Sequence, residues 1–509
     1  MSSCVDKYGA FAKHVQSVSA LEGVMGLLGW DEMVMQPSNA AGIKGKQKEV
    51  LAGVIHEKRT DDVLGGLLND LKSDNDDLNA VQKRNVEIAL KDYTKAKAIP
   101  KALSEEIAAL ESEGYHKWAE ARQASDYAVF KPILEKWVKI SLEKAKLISA
   151  SEDPYNVLLD DFETGMTADR LDEIFGQLRE GLVPLIKDIR EKGTAPDGAF
   201  LKGKSFDVDK QAKMCESIAL DLGFSLDTGR LDVSVHPFTG GSHSTDVRMT
   251  TRFKENDLTE GLTGAIHETG HSLYEMGRNL EGDWADMPAN KAMSMGVHES
   301  QSLLWERMVA LSRPFQDYLL TKLNAFFPGD FDGISAEQLY GAMNVVKPAT
   351  ESFIRVEADE VTYSMHILLR YELERQLIAG TISVDDVPKA WNAKMEEYLG
   401  TKVEKDAQGV LQDVHWSAGA IGYFPTYTLG AMIAVQLFDK AKQDIPDLES
   451  QLSQGAFSPL REWLRTNVHK KGSFPRNFDA LLTEVTGAPL DPTLYTKFLR
   501  NKYEQLYKF

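Results

Sequence analysis

The chain has 509 residues and a formal net charge of −19, which argues against binding nucleic acid or anionic lipid through a general positive field. No apolar run reaches the roughly 18 residues of a membrane helix. The two cysteines, Cys4 and Cys215, exclude a disulfide framework and a cysteine-rich zinc site. Charged residues interrupt the stretch from Met1 to Met25, so no signal-peptide core is expected, and we predict a cytoplasmic location.

Apolar residues recur at spacings of three and four along the N-terminal part, which predicts helices. The clearest stretches are 51–71, 78–98, 102–121, 130–150 and 168–192. We expect the last helix to kink at Pro184 and to end at Gly193. No internal repeat or long linker divides the chain. The sequence therefore predicts one large, mostly α-helical body, in which two lobes could flank a cleft.

A short β region is expected at 231–256. Residues 231–236 alternate apolar and polar side chains, as do 247–253 in part, and Pro237 and Gly240-Gly241 break the stretch between them. This pattern predicts a small hairpin or sheet. Such a strand could bind an extended peptide as one more strand, although a purely structural hairpin would have the same pattern.

The most specific pattern is His-Glu-x-x-His, formed by His267, Glu268 and His271 in a helical stretch. Residues four apart share one helix face, so the two imidazoles can bind one Zn²⁺, each at roughly 2.0–2.1 Å. Glu268 lies one step round the helix and is placed to take a proton from a water at the metal. The pattern therefore predicts a hydrolytic zinc site.

A third ligand is expected from the helical pattern at 294–306, because a hydrolytic zinc site uses three protein ligands and one open position. Glu299 is predicted to complete the set. His298 is the competing residue, since imidazole is also a good zinc ligand. Glu306 lies two turns further along and is not expected to compete.

Three later stretches combine charged, polar and aromatic side chains: 353–360, 409–416 and 421–430. In the first, Arg355 stands at the start of a helical pattern, and its planar fork could bind a carboxylate. A helix-surface ion pair with Glu351 or Asp359 is the alternative interpretation.

The second stretch places Asp413, which could orient a ring, near His415, which could donate to an oxyanion. In the third stretch, glycines and a proline predict a loop. Its tyrosines, Tyr423 and Tyr427, could supply phenol donors, although an aromatic loop can also serve packing alone.

Six motifs follow one another along the chain: His236-Pro237-Phe238, Asp246 to Thr250, His267 to His271, His298-Glu299-Ser300-Gln301, Ile354-Arg355-x-x-Ala358-Asp359 and Gly409-x-x-Gln412-Asp413-x-His415-Trp416. Together they resemble the signature set of the Taq-carboxypeptidase family, zinc carboxypeptidases first associated with thermophilic bacteria. The resemblance spans nearly the whole chain, from Trp30-Asp31 to the Tyr423 loop. It is looser only near Trp30-Asp31, where Met35-Gln36-Pro37 replaces the more usual Met-Pro.

The resemblance implies a mostly α, saddle-shaped body with a deep groove and one small β-sheet next to the zinc helix, related to thimet oligopeptidase and angiotensin-converting enzyme. It implies a single domain over 1–509 with its catalytic core at 231–430 and the N-terminal helices as one groove wall. It also implies a homodimer with one Zn²⁺ per subunit, which Co²⁺ could replace. The substrates of such an enzyme would be peptides with a free C-terminus, from which it would release one residue at a time with broad specificity.

Carried over to this sequence, the family pattern makes His267, His271 and Glu299 the metal ligands and Glu268 the general base and acid. The candidate donors to the oxyanion are Tyr423, His415 and His236. For the substrate, Arg355 is the leading candidate to bind the C-terminal carboxylate, Arg248 is the second, and Tyr427 is a further contact.

Other classes share parts of this pattern. A zinc oligopeptidase or endopeptidase of the same fold would have everything except the carboxylate-binding arginine. The zinc motif alone also permits an aminopeptidase. A non-catalytic helical scaffold with a structural zinc would need a fourth protein ligand, and the sequence offers no natural one.

Overall fold

A computed structural model describes residues 3–509. Nine helices make up the N-terminal part: α1 Cys4–Val34, α2 Ala41–Arg59, α3 Asp62–Ser73, α4 Ala80–Ala98, α5 Lys101–Ala124, α6 Tyr127–Ile148, α7 Pro154–Leu159, α8 Ala168–Lys192 and α9 Val208–Leu222. The stretch predicted as one helix over 51–71 is divided, because Asp61 caps the start of α3 by accepting a hydrogen bond from the Val63 amide. Helix α8 continues through Pro184 as one element.

The predicted β region forms one three-stranded sheet of β1 Gly229–Val233, β2 Phe238–His243 and β3 Asp246–Thr251. Strand β3 is central; it pairs parallel with β1 and antiparallel with β2. The expected break at Gly240-Gly241 is wrong, because both glycines lie inside β2. The hairpin therefore joins β2 to β3, and the first predicted strand runs parallel to the second.

Eleven helices follow the sheet: α10 Leu258–Met276, α11 Met295–Leu303, α12 Arg313–Phe326, α13 Ala336–Met343, α14 Tyr363–Ile378, α15 Val387–Leu399, α16 Pro425–Asp444, α17 Leu448–Ser453, α18 Ser458–Asn467, α19 Phe478–Thr486 and α20 Pro492–Tyr507. A π-helical segment, Leu304–Ala310, continues α11. The predicted class, mostly α with one small sheet directly before the helix that carries His267, is confirmed.

Helix α11 lies between α10 and α16, and two glycines permit this close packing. A Cβ on Gly270 of α10 would stand 2.5 Å from the carbonyl oxygen of Gln301, and one on Gly430 of α16 would stand 2.8 Å from the Glu299 Cβ. Atoms cannot approach so closely without displacing the backbone. The two glycines therefore allow α11 to pack so closely that Glu299 lies next to the helix that carries His267 and His271.

The main hydrophobic core is formed by residues between Leu103 and Tyr507 in the sequence. It includes apolar side chains of α10, α11 and α16. A second, smaller cluster joins α1, α3 and α4 around Met287. Within residues 3–509, no helix combines the length and the apolar composition that crossing a membrane requires. The first two positions of the single domain predicted over 1–509 lie outside the described residues.

Candidate metal centre

Helix α10 presents the His-Glu-x-x-His pattern on a capped, buried helix. The side chain of Asp257 accepts hydrogen bonds from the amides of Thr259 and Glu260, which satisfies the free N–H groups of the first turn. One turn apart, the rings of His267 and His271 have centroids 4.9 Å from each other. The α-helical spacing predicted from sequence therefore places both imidazoles side by side.

Glu299 of α11 completes a group of three possible ligands. Its Oε2 lies 3.4 Å from His271 Nε2 and 3.6 Å from His267 Nε2. Donor atoms held at about 2.0–2.1 Å from one tetrahedral Zn²⁺ stand roughly 3.3–3.4 Å apart, so the spacing fits such an ion. Among the residues that the structure describes, this is the one cluster of three or more His, Cys, Asp or Glu side chains with metal-ligand spacing.

Glu306, which the sequence only argued against as a metal ligand, lies behind His267, and this supporting role was not predicted. Its Oε2 is 2.7 Å from His267 Nδ1. A carboxylate on the second ring nitrogen fixes the orientation and the tautomer of a metal-binding histidine, and it leaves Nε2 facing the metal position. The seven-residue spacing from Glu299 puts both acids on one helix face, a signal that could have identified Glu306.

A longer chain of contacts supports His271. Its Nδ1 is 2.6 Å from Nδ1 of His298, whose Nε2 is 2.7 Å from Glu275 Oε1. Arg278 in turn donates from Nε to Glu275 Oε2. Burial lowers the pKa of His298, so this ring is neutral and can accept from His271 while donating to Glu275. Both ring nitrogens of His298 therefore bind His271 and Glu275, so His298 does not take the place of Glu299 as the third ligand.

The charges around His267, His271 and Glu299 favour a positive charge at the centre of this group. Burial works against the charged form of His267, yet the carboxylates of Glu299 and Glu306 raise its pKa to about 10. Burial likewise opposes ionisation of Glu299, but His267 and His271 lower its pKa to about 2. The carboxylates of Glu299 and Glu306 thus favour a protonated His267. A bound cation would supply this positive charge in place of the proton.

Glu268 is buried beside the sheet and is held by strand β2. The hydroxyl of Thr239 donates to Glu268 Oε2 at 2.6 Å and also lies 3.1 Å from the Glu268 carbonyl oxygen. This contact limits the rotation of the carboxylate. No local pattern in the sequence marks Thr239, because the contact between β2 and α10 is tertiary.

Arg355 is buried, and its interpretation as a helix-surface ion pair is wrong. It lies in a short 3₁₀ turn, and the helix expected to begin there starts only at Tyr363. Its Nε and Nη2 donate to Asp413 Oδ1 at 3.0 and 2.8 Å, and its Nη1 donates to the Tyr363 hydroxyl at 3.2 Å. The guanidinium also stacks on the Tyr427 ring at 4.7 Å.

Asp413 does not orient the His415 ring, as the sequence suggested it could. Its Oδ1 is 3.9 Å from His415 Nδ1, beyond hydrogen-bond distance. Its other oxygen instead accepts from Arg370 Nε at 2.7 Å. Burial opposes the charge on Asp413, but Arg355 and Arg370 hold its pKa well below the usual range. Two buried guanidinium groups therefore share one carboxylate, which leaves a net positive charge.

His415, Tyr423 and Tyr427 lie together. The His415 Nε2 is 3.0 Å from the Tyr427 hydroxyl, and the rings of His415 and Tyr427 each stand 5.3 Å from that of Tyr423. Burial lowers the pKa of His415 to about 4, so the ring is neutral at physiological pH. The expected loop over 421–430 ends early, because Pro425 begins α16 and Tyr427 lies in its first turn.

His236 and Arg248 occupy the sheet region. His236 is exposed between β1 and β2, and its carbonyl accepts from the Ser234 hydroxyl. Arg248 binds Asp246 through Nε and Nη2 at 2.8 and 3.1 Å and stacks on Trp30 of α1 at 4.7 Å. Arg248 therefore has an acid partner within its own strand, and it also joins the N-terminal helix to the sheet.

Replacing Glu306 with alanine is expected to weaken metal binding by about 10–100-fold, because His267 would lose the partner that orients it. The measurement is competition for Zn²⁺ against a chromophoric chelator. The matched control is Glu281→Ala, an exposed carboxylate after α10. Equal affinities for the two variants would show that Glu306 does not support a metal ligand.

A helix with His-Glu-x-x-His and a glutamate from a following helix, set in a mostly α fold, is the arrangement of a metallopeptidase. The sequence matches the family described as Carboxypeptidase Taq (M32) metallopeptidase over residues 10–503. The chain belongs to this family of metallocarboxypeptidases. It is therefore an enzyme, a hydrolase with a divalent metal, and the resemblance seen in the sequence is confirmed.

Relatives match nearly their whole length. Carboxypeptidase 1 of Bacillus subtilis (strain 168) is 37% identical over 493 residues, 97% of both chains. Thermostable carboxypeptidase 1 of Thermus thermophilus is 38% identical over 497 residues, 94% of this chain and 95% of the relative. The crystal structure of the M32 carboxypeptidase from Deinococcus radiodurans R1 is similar with a TM-score of 0.94 and 37% identity, covering 99% of this chain and all of that one.

Proposed function

We propose that the chain is a zinc-dependent carboxypeptidase that releases single C-terminal amino acids from peptides with broad specificity. The observation that carries this proposal is a buried arginine close to the candidate metal centre. Arg355 stacks on the Tyr427 ring of α16 at 4.7 Å, and three residues along the same helix Gly430 packs against the Glu299 side chain, so α16 contacts both sites. A substrate carboxylate at Arg355 would place the last peptide bond near His267, His271 and Glu299.

His267, His271 and Glu299 would hold the metal, which when bound polarises the scissile carbonyl and lowers the pKa of an attacking water toward about 7. Glu268 takes the proton of that water and then passes it to the leaving amine. The Thr239 hydroxyl keeps the Glu268 carboxylate in one orientation during both transfers. Glu306 and His298 keep the Nε2 atoms of the two histidines directed at the centre.

Charge develops on the carbonyl oxygen during attack, and the candidate donors are Tyr423, His415 and His236. The support differs among them. Tyr423 and His415 are close neighbours, and the Glu299 charge acts on the Tyr423 hydroxyl. His236 is exposed between β1 and β2 and would have to approach the centre when the substrate binds. Losing one such donor typically costs about 10²–10³ in turnover.

The same proposal covers the remaining features of the family pattern. One Zn²⁺ per subunit is proposed because two imidazoles and one carboxylate suit it, with Co²⁺ as a substitute. We further propose a homodimer, a cytoplasmic location and a single domain with its catalytic core at 231–430. In this domain, the separate α1, α3 and α4 cluster would belong to one groove wall.

The competing function is that of a zinc oligopeptidase of the same fold, which would cut internal bonds. Mass spectrometry of a short peptide incubated with the zinc-loaded enzyme separates the two. We expect a ladder in which the peptide loses one residue at a time from its C-terminus. Internal fragments at early times would instead identify an oligopeptidase, and a peptide amidated at its C-terminus serves as the control substrate.

A further inference from the structure

A carboxylate that the proposed mechanism does not use lies behind the segment His415–Tyr423. Glu374 of α14 is fully buried, with 0% of its surface exposed. Its Oε1 accepts from the Trp416 indole N–H at 2.8 Å. Its Oε2 accepts from the Gly422 amide at 2.9 Å and from the Tyr155 hydroxyl at 2.9 Å. Both oxygens are therefore satisfied, and two of the three donors belong to one segment.

The two contacts hold opposite ends of that segment. Trp416 follows His415 directly, and Gly422 precedes Tyr423. Gly422 adopts a φ of +94°, a conformation that residues with a Cβ rarely reach, and a Cβ there would also stand 3.1 Å from the backbone of Leu159. We propose that Glu374 is a positioning residue for hydrolysis, which fixes both ends of the segment and so sets where His415 and Tyr423 stand. The inference rests on the proposed function, because it takes these two side chains as groups that contact the substrate.

The proposal requires the ionised form of Glu374. An indole and a backbone amide can only donate, so a protonated carboxyl would face two donors with a neutral, weaker acceptor. Of the three neighbours, only the Tyr155 hydroxyl can turn round and accept. Burial favours the neutral acid, whereas the donors from Trp416, Gly422 and Tyr155 favour the carboxylate, and the balance raises the pKa of Glu374 to about 7.

The charged and titratable groups around Glu374 do not change this balance between its neutral and ionised forms. Its own helix contributes Arg370, which favours the carboxylate and is paired with Asp413, and Arg375, which pairs with Asp153. Helix α7 contributes Tyr155. The segment contributes His415, which is neutral near pH 7 because burial lowers its pKa to about 4. The anchoring contacts should therefore strengthen as the pH rises through about 7 and weaken below it.

The first test follows the Trp416 indole N–H by NMR in the zinc-loaded, full-length enzyme, with its signal assigned from Trp416→Phe. We expect its chemical shift to titrate with a midpoint of about 7 and the titration to be absent in Glu374→Gln. The matched control is the indole of Trp137, which donates at 3.0 Å to the Ser417 carbonyl of the same segment and has no titratable acceptor. A Trp416 signal that stays constant, or one that moves together with that of Trp137, would overturn the anchor.

The second test is kinetic. Glu374→Gln should lower kcat/KM by about 10²-fold, the effect of displacing reacting groups by roughly 1 Å, while zinc content stays at the wild-type level. Glutamine cannot replace the carboxylate, because its NH₂ would face the Trp416 indole or the Gly422 amide. The control is Tyr155→Phe, which removes the one donor outside the segment and should retain kcat/KM within about threefold. A Glu374→Gln enzyme within that range, or a Tyr155→Phe enzyme as impaired as Glu374→Gln, would contradict the positioning role.

The two tests separate this inference from the proposed function. The indole titration does not depend on hydrolysis, so a failed titration refutes the anchor even in an enzyme that works as a carboxypeptidase. Direct variants, Tyr423→Phe and His415→Ala, test the proposed roles themselves. If they are impaired while Glu374→Gln is fully active, the positioning role of Glu374 is wrong and the proposed roles of Tyr423 and His415 stand.

Discussion

Glu268→Gln is expected to abolish hydrolysis while the enzyme keeps its full complement of zinc. Glutamine has nearly the same shape and its amide oxygen can still accept from the Thr239 hydroxyl, but it cannot take a proton from water. Removing a general base typically costs about 10²–10⁴ in rate, and here the same group also returns the proton to the leaving amine. Turnover of a peptide with a free C-terminus, measured beside zinc content by atomic absorption, checks this expectation.

Glu299→Ala is the matched variant, because it removes a proposed ligand from the facing helix. It should lose the metal and the activity together, leaving two imidazoles that bind Zn²⁺ weakly. A Glu268→Gln enzyme that turned over peptide at the wild-type rate would remove Glu268 from its role. A Glu299→Ala enzyme that retained zinc would show that another side chain completes the site.

Arg355→Ala is expected to raise KM for peptides with a free C-terminus by about 10–100-fold, since a hydrogen bond to a charged group contributes roughly 1.5–3 kcal/mol. Peptides amidated at the C-terminus should be affected far less. The fold should survive, because Asp413 keeps its second partner, Arg370. Arg355→Lys should also impair binding, since an ammonium lacks the planar fork that binds a carboxylate through two N–H groups. Steady-state kinetics on matched acid and amide peptides provide the measurement.

Arg248→Ala is the control for this experiment. Arg248 binds Asp246 and stacks on Trp30, so its loss should loosen the contact between α1 and the sheet without discriminating between acid and amide substrates. Equal losses on both substrates in Arg355→Ala would remove that residue from carboxylate binding. If Arg248→Ala instead lost activity only on peptides with a free C-terminus, Arg248 would be the residue that binds the carboxylate.

The limits of sequence reasoning are clearest around the histidines. The four-residue spacing of His267 and His271 is enough to place both rings on one face, because the geometry of a single helix is local. Their supporting partners, Glu306 and His298, come from another helix. Glu306 was set aside as lying two turns away, although a seven-residue spacing returns to the same face.

The β region shows the same limit in another form. Alternation of apolar and polar residues was enough to predict strands at 231–236 and 247–253, but it does not specify which strand pairs with which. Gly240 and Gly241 were taken as a break, since glycine is disfavoured in strands. In the structure, they lie in β2, where the strand pairs with β3 and Thr239 reaches Glu268.

By itself, the sequence determined the helical class, the metal-binding motif on one helix and the family, because periodicity and short motifs depend on local geometry. Only the tertiary structure decided that Arg355 is buried against Asp413, that His298 supports His271, and that Glu374 holds both ends of the segment His415–Tyr423. These contacts join residues 27 to 58 positions apart. Packing of whole helices brings such residues together, and no local pattern in the chain encodes it.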